Sequence, residues 1–528
     1  MISAGAMIRI FNRTTVSAGL FRLISCLIFC GLFFGNAALA NLQNTSVLYT
    51  RGDFSGAASA AFQVYSSSRN AQEKMNAGIF LARSLQALDL PYSASRFYGA
   101  IVRQGPQNNP FFREAFEKLG AINSMVSLGQ AQIVQMVSGR DGGALNPEFI
   151  PGSARGFYFY YLGVDSFDDR KYGAAVRLFK SVPGGSPYYL RAQFHLGVIA
   201  NLQGQHSQAI SYFSGVASGA RRDDDGDHLR SGAIMNIARV EYETKRYNDS
   251  LMQYGRVSRD SDQWLDAQFE GSWAFFMIEK QNNALGNLHT VQSPFFENRF
   301  YPESYILQSI TFLRLCRFDE TKVALVKFRD RYQPLFGELK KLINDYGDNP
   351  RSFYKLVYDF RGGSLTRFKE SWPIFDTLSR TDAFREGAIA VRNSDSELAR
   401  LSRYGGKWAS SGLQEELRDF LGKKKAVAAD EAGRKLYLKL SVQRDYLKEL
   451  SRQTEFITAE MLLNRVDALR ASLQVSTAEQ RVNFIGGFQT LNVAQELEYW
   501  PFQGEYWEDE LGYYVYNLAS QCLKSGRK

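Results

Sequence analysis

At 528 residues the chain is longer than one compact domain usually needs, so either several domains or an extended repeat array is expected. With 45% hydrophobic and 22% charged residues, its composition excludes wholesale disorder. A net charge of +9 invites a nucleic-acid reading. Three arginines belong to an N-terminal segment that is expected to be removed, however, which lowers the charge to +6 over 488 residues. No basic stripe interleaved with aromatics stands out, so no nucleic-acid partner is expected.

Residues 1–40 contain Arg9, Arg13 and Arg22 but no acidic residue. An apolar run from Leu23 to Phe34 follows, and then Ala38-Leu39-Ala40 ahead of Asn41. That is the pattern of a secretory signal peptide, with cleavage expected after Ala40 and a periplasmic mature chain. The run is short for a span of about 20 residues, and no later stretch reaches that length, so no transmembrane segment is expected after cleavage. Neither Cys26, inside the apolar run, nor Cys30, behind bulky Phe29, suits a lipid anchor. Of the remaining cysteines, Cys316 and Cys522, two buried free thiols fit better than one bridge.

From residue 41 to about 336 the chain repeats itself. Leu162-Gly163 is followed by Tyr172, Ala175, Phe179, Val182 and Pro187. The same size classes return at Leu196-Gly197, His206, Ala209, Phe213 and Val216, with Gly204 in the turn. After an insertion they return at Ile237-Ala238, Tyr247, Ser250, Tyr254 and Val257, and again at Gly271-Ser272, Ala284, Leu288 and Val291. Upstream, Leu81-Ala82 with Ala94, Tyr98 and Ile101 forms a weaker copy, and Phe318, Leu325 and Phe328 suggest a last one.

This pattern resembles the tetratricopeptide repeat, whose units are pairs of antiparallel helices. The resemblance implies an all-α superhelix of about seven or eight helix pairs, firmest over 154–293. Small residues such as Gly163 and Ala175 would let the two helices of a pair approach, while the large ones fill the space between. It departs from the family in that the usual first-helix aromatic is mostly missing and the closing proline is clear only at Pro187.

In that family the first helices line a groove that takes an extended peptide or a helix. Projected onto this sequence, the groove receives Phe157, Tyr160, Val164 and Phe167, then Phe194 and Val198. Met235, Arg239 and Tyr242 follow, and beyond them Phe269, Trp273 and Phe276, then Ile306, Ile310 and Leu313. Such a groove is apolar and aromatic, the character of a protein-binding surface unless the chain's own C-terminal region covers it.

Residues 337–490 read as a long helical arm broken near Gly405-Gly406. Within it, Leu440, Leu447, Leu450, Ile457 and Met461 fall on a heptad seam interrupted by Thr454 and Asn464, so a coiled coil and self-association are both open. Lys423-Lys424-Lys425 reads as a solvated face. Residues 491–528 are aromatic-rich, with the near-duplicate runs Glu498-Tyr499-Trp500 and Glu505-Tyr506-Trp507. This segment is expected to cap or fill the chain's own superhelix, with Trp500 and Trp507 as alternative contacts for a partner or a polysaccharide.

No catalytic, metal or cofactor pattern accompanies these features. His195, His206, His228 and His289 form no metal-ligand spacing, and no nucleophile elbow or phosphate loop is found. Aligning Gly226 of the acidic loop Asp223–Asp227 with the EF-hand glycine puts Arg221 and Gly232 at ligand positions, so the loop reads as a solvated turn that caps the next helix. Glu508, Asp509 and Glu510 are acids without an evident catalytic partner. The sequence therefore points to a non-enzymatic periplasmic interaction scaffold of a cell-envelope assembly. The alternatives are a cell-wall or polysaccharide-binding protein and a regulator of a cell-wall enzyme.

Overall fold

The computed structural model describes residues 42–138, 145–221, 223–475 and 504–522, and every regular element among them is helical. The signal-like segment and Trp500 lie outside the described residues. The chain divides into two compact units, residues 1–151 with 392–424 and residues 152–391 with 425–528.

The first unit opens with α1 (residues 42–50), α2 (Phe54–Ser67), α3 (Ala71–Ala87) and α4 (Pro91–Val102), followed by α5 (Phe112–Val126) and α6 (Gln130–Val137). Local sequence sets where these helices start. Asp53 and Asn70 cap α2 and α3 by accepting backbone N–H bonds, and Pro91 occupies the first turn of α4, where its missing N–H costs nothing. The small residues expected at the α3/α4 contact, Ala82 and Ala94, are both fully buried. The returning segment 392–424 closes the unit. Buried Trp408 donates its indole N–H to the Ser55 carbonyl at 3.0 Å. The Glu397 carboxylate caps α4, accepting from the Ser93 amide at 2.8 Å.

The second unit carries the firm repeats as helical hairpins. These are α7 (Arg155–Asp168) with α8 (Tyr172–Lys180), α9 (Tyr189–Leu202) with α10 (His206–Gly219), α11 (Asp224–Glu243) with α12 (Tyr247–Tyr254), and α13 (Trp264–Met277) with α14 (Gln281–Val291). Another pairs α15 (Glu303–Arg314) with α16 (Phe318–Tyr346), which runs on through Pro334. The small residues of the repeat are what close each pair. A Cβ on Gly163 would sit 2.7 Å from the Phe179 ring, and one on Gly197 would sit 2.7 Å from Phe213. Ala175, Ala209, Ser250 and Ala284 are completely buried on the facing helices. As expected of the acidic loop, Asp223 caps α11 by accepting from the Gly226 amide at 2.8 Å.

Each hairpin also turns the same way. Arg170, Gly204, Lys245, Glu279 and Cys316 adopt φ values of 59°, 72°, 62°, 61° and 56° at the end of a first helix. The amide one residue further on bonds a carbonyl five residues back, for example Gln205 N to Ala200 O at 2.9 Å and Arg246 N to Glu241 O at 2.8 Å. These are left-handed helix caps, and only Gly204 is free of the steric cost of that conformation.

Beyond α16 come α17 (Pro350–Arg361), α18 (Trp372–Ser379), α19 (Asp382–Leu401) and the long α20 (Leu413–Val475). The heptad seam is used inside the chain. Leu440, Leu447, Leu450, Ile457 and Met461 are all buried in one core with Ile306, Leu313, Phe328 and Leu339 of α15 and α16. Side chains fix this packing at several points. Tyr446 donates to Glu303, Tyr437 donates to the Ile343 carbonyl at 3.3 Å, and Arg351 pairs with Asp430 at 2.7 Å.

One cysteine expectation is overturned: Cys316 and Cys522 are not free thiols but a disulfide across 206 residues. Sequence spacing carries no sign of it, because what brings Cys522 to Cys316 is the docking of residues 504–522 along α14 and α15.

Candidate functional site

The first helices α7, α9, α11 and α13 present the residues projected onto the groove, and the structure sorts them into three groups. Phe157, Met235 and Phe276 are buried, because each points between hairpins rather than away from them. Met235 packs with Ile234, Tyr254 and Ala267, Phe276 with Ala284, Leu288 and Leu307, and Phe157 against Tyr161 and Tyr188. Those three residues shape the surface from below.

A second group forms an aromatic cluster at the α7–α9 end. Tyr160 stacks on Tyr188 with centroids 5.2 Å apart, and Phe167 meets the His195 ring edge-on at 5.3 Å. His195 itself stacks at 4.9 Å on Phe179, whose ring also fills the space above Gly163. Burial pushes the His195 imidazole down to about 4 and the Tyr160 phenol up to about 12, so both are neutral at physiological pH. His195 is thus a structural histidine. Phe194 packs edge-on against Phe213 at 5.3 Å.

The third group lines an open pocket of about 400 Å³ bounded by Arg239, Tyr242, Tyr254, Glu270 and Trp273. Arg239 and Glu270 make a two-point ion pair, Nε to Oε2 at 2.9 Å and Nη2 to Oε1 at 2.6 Å. Tyr254 donates its hydroxyl to the same carboxylate at 2.9 Å. Tyr242 packs on Tyr247 and Trp273 on Phe276, so the pocket has rigid aromatic walls over a neutralised ionic floor. Phe269 lies beside it, tilted against Tyr301, whose hydroxyl donates to Asp266 at 2.5 Å. Burial raises the Asp266 carboxyl and the Tyr301 phenol alike.

Projection onto the repeat missed Glu270 and Tyr254 as pocket residues. Tyr254 was legible only as a large repeat residue, and its hydroxyl becomes informative once Glu270 is placed. The one available signal was opposite charge at nearly one repeat spacing, Arg239 against Glu270. Farther along the same helix face, Ile306 and Leu313 are covered by α20, with Ile310 packed against the same core.

The C-terminal segment sits on a different surface. Residues 504–522 run along second helix α14 and along α15, where the Tyr506 ring stacks on His289 at 4.1 Å and Tyr514 meets that ring edge-on at 4.7 Å. Trp507 remains half exposed, and Glu508, Asp509 and Glu510 face solvent. Among the described residues no group of His, Cys, Asp and Glu has metal-binding geometry, and no helix is long and apolar enough to cross a membrane.

No protein-family model matches the chain, and no curated protein matches it. Among solved structures it is similar to the apo form of RapI, at 11% identity over 51% of this chain and 98% of that one, with a TM-score of 0.29. It is also similar to a Rap protein complexed with competence and sporulation factor, at 12% identity over 74% of this chain and 99% of that one, with a TM-score of 0.26.

Proposed function

We propose that this chain is an exported, periplasmic interaction scaffold of a cell-envelope assembly, and that it holds a partner protein's segment against the first-helix face of α9, α11 and α13. The observation that carries this reading is the pocket walled by Tyr242 and Trp273 over the Arg239–Glu270 pair. Its size suits one apolar or aromatic side chain of a docked helix or extended segment, and Trp and Tyr walls are the usual energetic anchors of such contacts. The role is binding rather than catalysis. The pocket's ionic groups neutralise each other. The signal-like first forty residues support export, as does the Cys316–Cys522 disulfide, since such bonds persist in oxidising compartments.

A photo-crosslinking residue at position 242, used in envelope extracts, tests the site. Specific crosslinked partners should appear and should be lost with Trp273→Ala; the same partners at full yield in that variant would remove the pocket from the reading. Self-association through the arm is a second role, supported by Phe456 and Leu463 of α20, which are two-thirds exposed. Sedimentation of wild type against a Phe456→Ser, Leu463→Ser variant decides it. The polysaccharide alternative keeps one supporting observation, the half-exposed Trp507, and is tested by polysaccharide pull-down with Trp507→Ala.

A further inference from the structure

Residues 513–519 follow an alternation that no helix would give. Tyr514, Tyr516 and Leu518 turn toward the repeats, while Tyr513, Val515, Asn517 and Ala519 are exposed. That period of two marks an extended peptide laid on a surface. Its backbone is held by side chains of the array. The Asn282 carboxamide accepts from the Leu518 amide at 3.1 Å and donates to the Leu518 carbonyl at 3.3 Å, while the Asn282 carbonyl accepts from the Tyr516 amide at 3.1 Å. Thr290 Oγ1 accepts from the Gly512 amide at 2.9 Å, and Arg317 donates to the Ala519 carbonyl at 3.2 Å. Side-chain selection comes from Leu285, Phe312, Leu315 and Ala324, which form one cluster with Tyr516 and Leu518. Gly286 lets the peptide approach closely, because a Cβ there would fall 1.7 Å from the Tyr514 carbonyl oxygen.

A two-point carboxamide clamp on one residue's backbone, pockets for alternate side chains and a glycine under the chain are the parts of a peptide-recognition site. The α13–α14 hairpin has a core of its own in Phe276, Ala284 and Leu288, which also reaches Leu307 of α15. Covalently, the segment is tied at its far end by Cys522 to Cys316.

We infer that the α14–α15 surface is a binding site for extended peptides of the form Tyr-x-Tyr-x-Leu, filled in cis by residues 504–522 and latched shut by the Cys316–Cys522 disulfide. A dithiol reductant opens the latch. One of its thiolates attacks one sulfur and expels the other cysteine as a thiol, leaving a mixed disulfide; its second thiol then displaces the first cysteine, so both cysteines end as thiols and the reductant as a disulfide. Two electrons pass to the protein. While the bond is intact the segment is tethered at both ends and outcompetes any peptide in trans; reduction leaves the backbone as its one tether, so its local concentration falls. This site is separate from the Trp273 pocket, so either can fail without the other.

The test uses the full chain with a protease site inserted between Gly486 and Gly487, and a fluorescent peptide of residues 504–522 carrying Cys522→Ser. After cleavage the C-terminal fragment should co-elute with the body while oxidised and leave on dilution once reduced. The labelled peptide should then bind saturably, one per chain, and should fail to bind the oxidised protein. Asn282→Ala should weaken binding about tenfold or more, and Gly286→Ala should abolish it. A peptide with Tyr514, Tyr516 and Leu518 changed to Ser leaves the protein itself untouched and should not bind. Equal binding by that peptide, equal binding with and without reductant, or no uptake of labelled peptide by the reduced, cleaved chain overturns the inference.

Discussion

Arg239 and Glu270 meet in a two-point ion pair, and Glu270 also accepts the Tyr254 hydroxyl, so one carboxylate serves two donors. The two partners are unequal in consequence. Arg239→Ala leaves Glu270 with Tyr254 and solvent, and as a half-exposed pair member it should cost no more than about 1 kcal/mol. Glu270→Ala strands a buried phenol as well and should cost about 1–3 kcal/mol. Urea unfolding of both variants checks the order, and equal losses would show that Tyr254 gains nothing from Glu270.

Gly163 and Gly197 are closed positions, while Gly215 in α10 has nothing within 4 Å of where its Cβ would be. Alanine is the better helix former by about 1 kcal/mol. Gly215→Ala should therefore raise stability by up to that amount. Gly163→Ala and Gly197→Ala must displace Phe179 or Phe213 and should cost about 1–3 kcal/mol through overpacking. Thermal unfolding of the three variants reads the opposite signs directly.

Lys245 and Glu279 hold the same left-handed turn that Gly204 holds, at φ 62° and 61°. A non-glycine residue there is strained by roughly 1 kcal/mol. Lys245→Gly and Glu279→Gly should each be neutral to stabilising by up to about 1 kcal/mol in spite of the added chain entropy, and Gly204→Ala should be destabilising. Glycine variants less stable than wild type would mean that those side chains make contacts that outweigh the strain.

The hairpins were legible because size alternation at a fixed spacing is written in single residues: Gly163 under Phe179 and Gly197 under Phe213 need no long-range knowledge. The turns were only partly legible, since Gly204 announces a left-handed cap and Arg170, Lys245 and Glu279 do not. Projection placed Arg239, Tyr242 and Trp273 together, but it also put Met235 and Phe276 on the surface. A helix in a stacked array buries more than one stripe, and residue type alone does not say which edge faces the next hairpin. Docking of residues 504–522 on α14 left no periodic trace, because Asn282, Gly286 and His289 are ordinary second-helix residues until the segment arrives. The disulfide was hidden for the same reason.

Leu447 and Leu450 of α20 are buried in the core shared with α15 and α16. If this seam serves the chain's own fold, Leu447→Ala should cost about 2–5 kcal/mol whatever the protein concentration. A seam shared between chains would instead give a loss that shrinks as concentration rises. Chemical unfolding over a hundredfold concentration range separates the two, and Leu463→Ala, at an exposed position, should change stability by less than about 0.5 kcal/mol.

His195 makes the groove end of the second unit sensitive to acid. Burial between Phe179, Tyr160 and Phe167 holds its imidazole down at about 4 against the attraction of Asp168 and Asp382, where an unfolded histidine titrates near 6.5. Between those values the unfolded chain binds a proton that the folded chain refuses. Stability from this residue is therefore complete above about pH 6.5 and is lost as pH falls toward 4, by about 3 kcal/mol in all. His195→Leu keeps the apolar contact and removes the titration. Asp266 and Glu386 are raised, chiefly by desolvation, and push stability the other way, but they are common to both proteins and cancel in the comparison. Unfolding free energies measured from pH 7 to 4 should thus not run parallel, with wild type losing more than the variant. Parallel curves would mean that His195 takes up its proton in the folded state without strain, and that the Tyr160–Phe179 cluster opens readily enough to hydrate it.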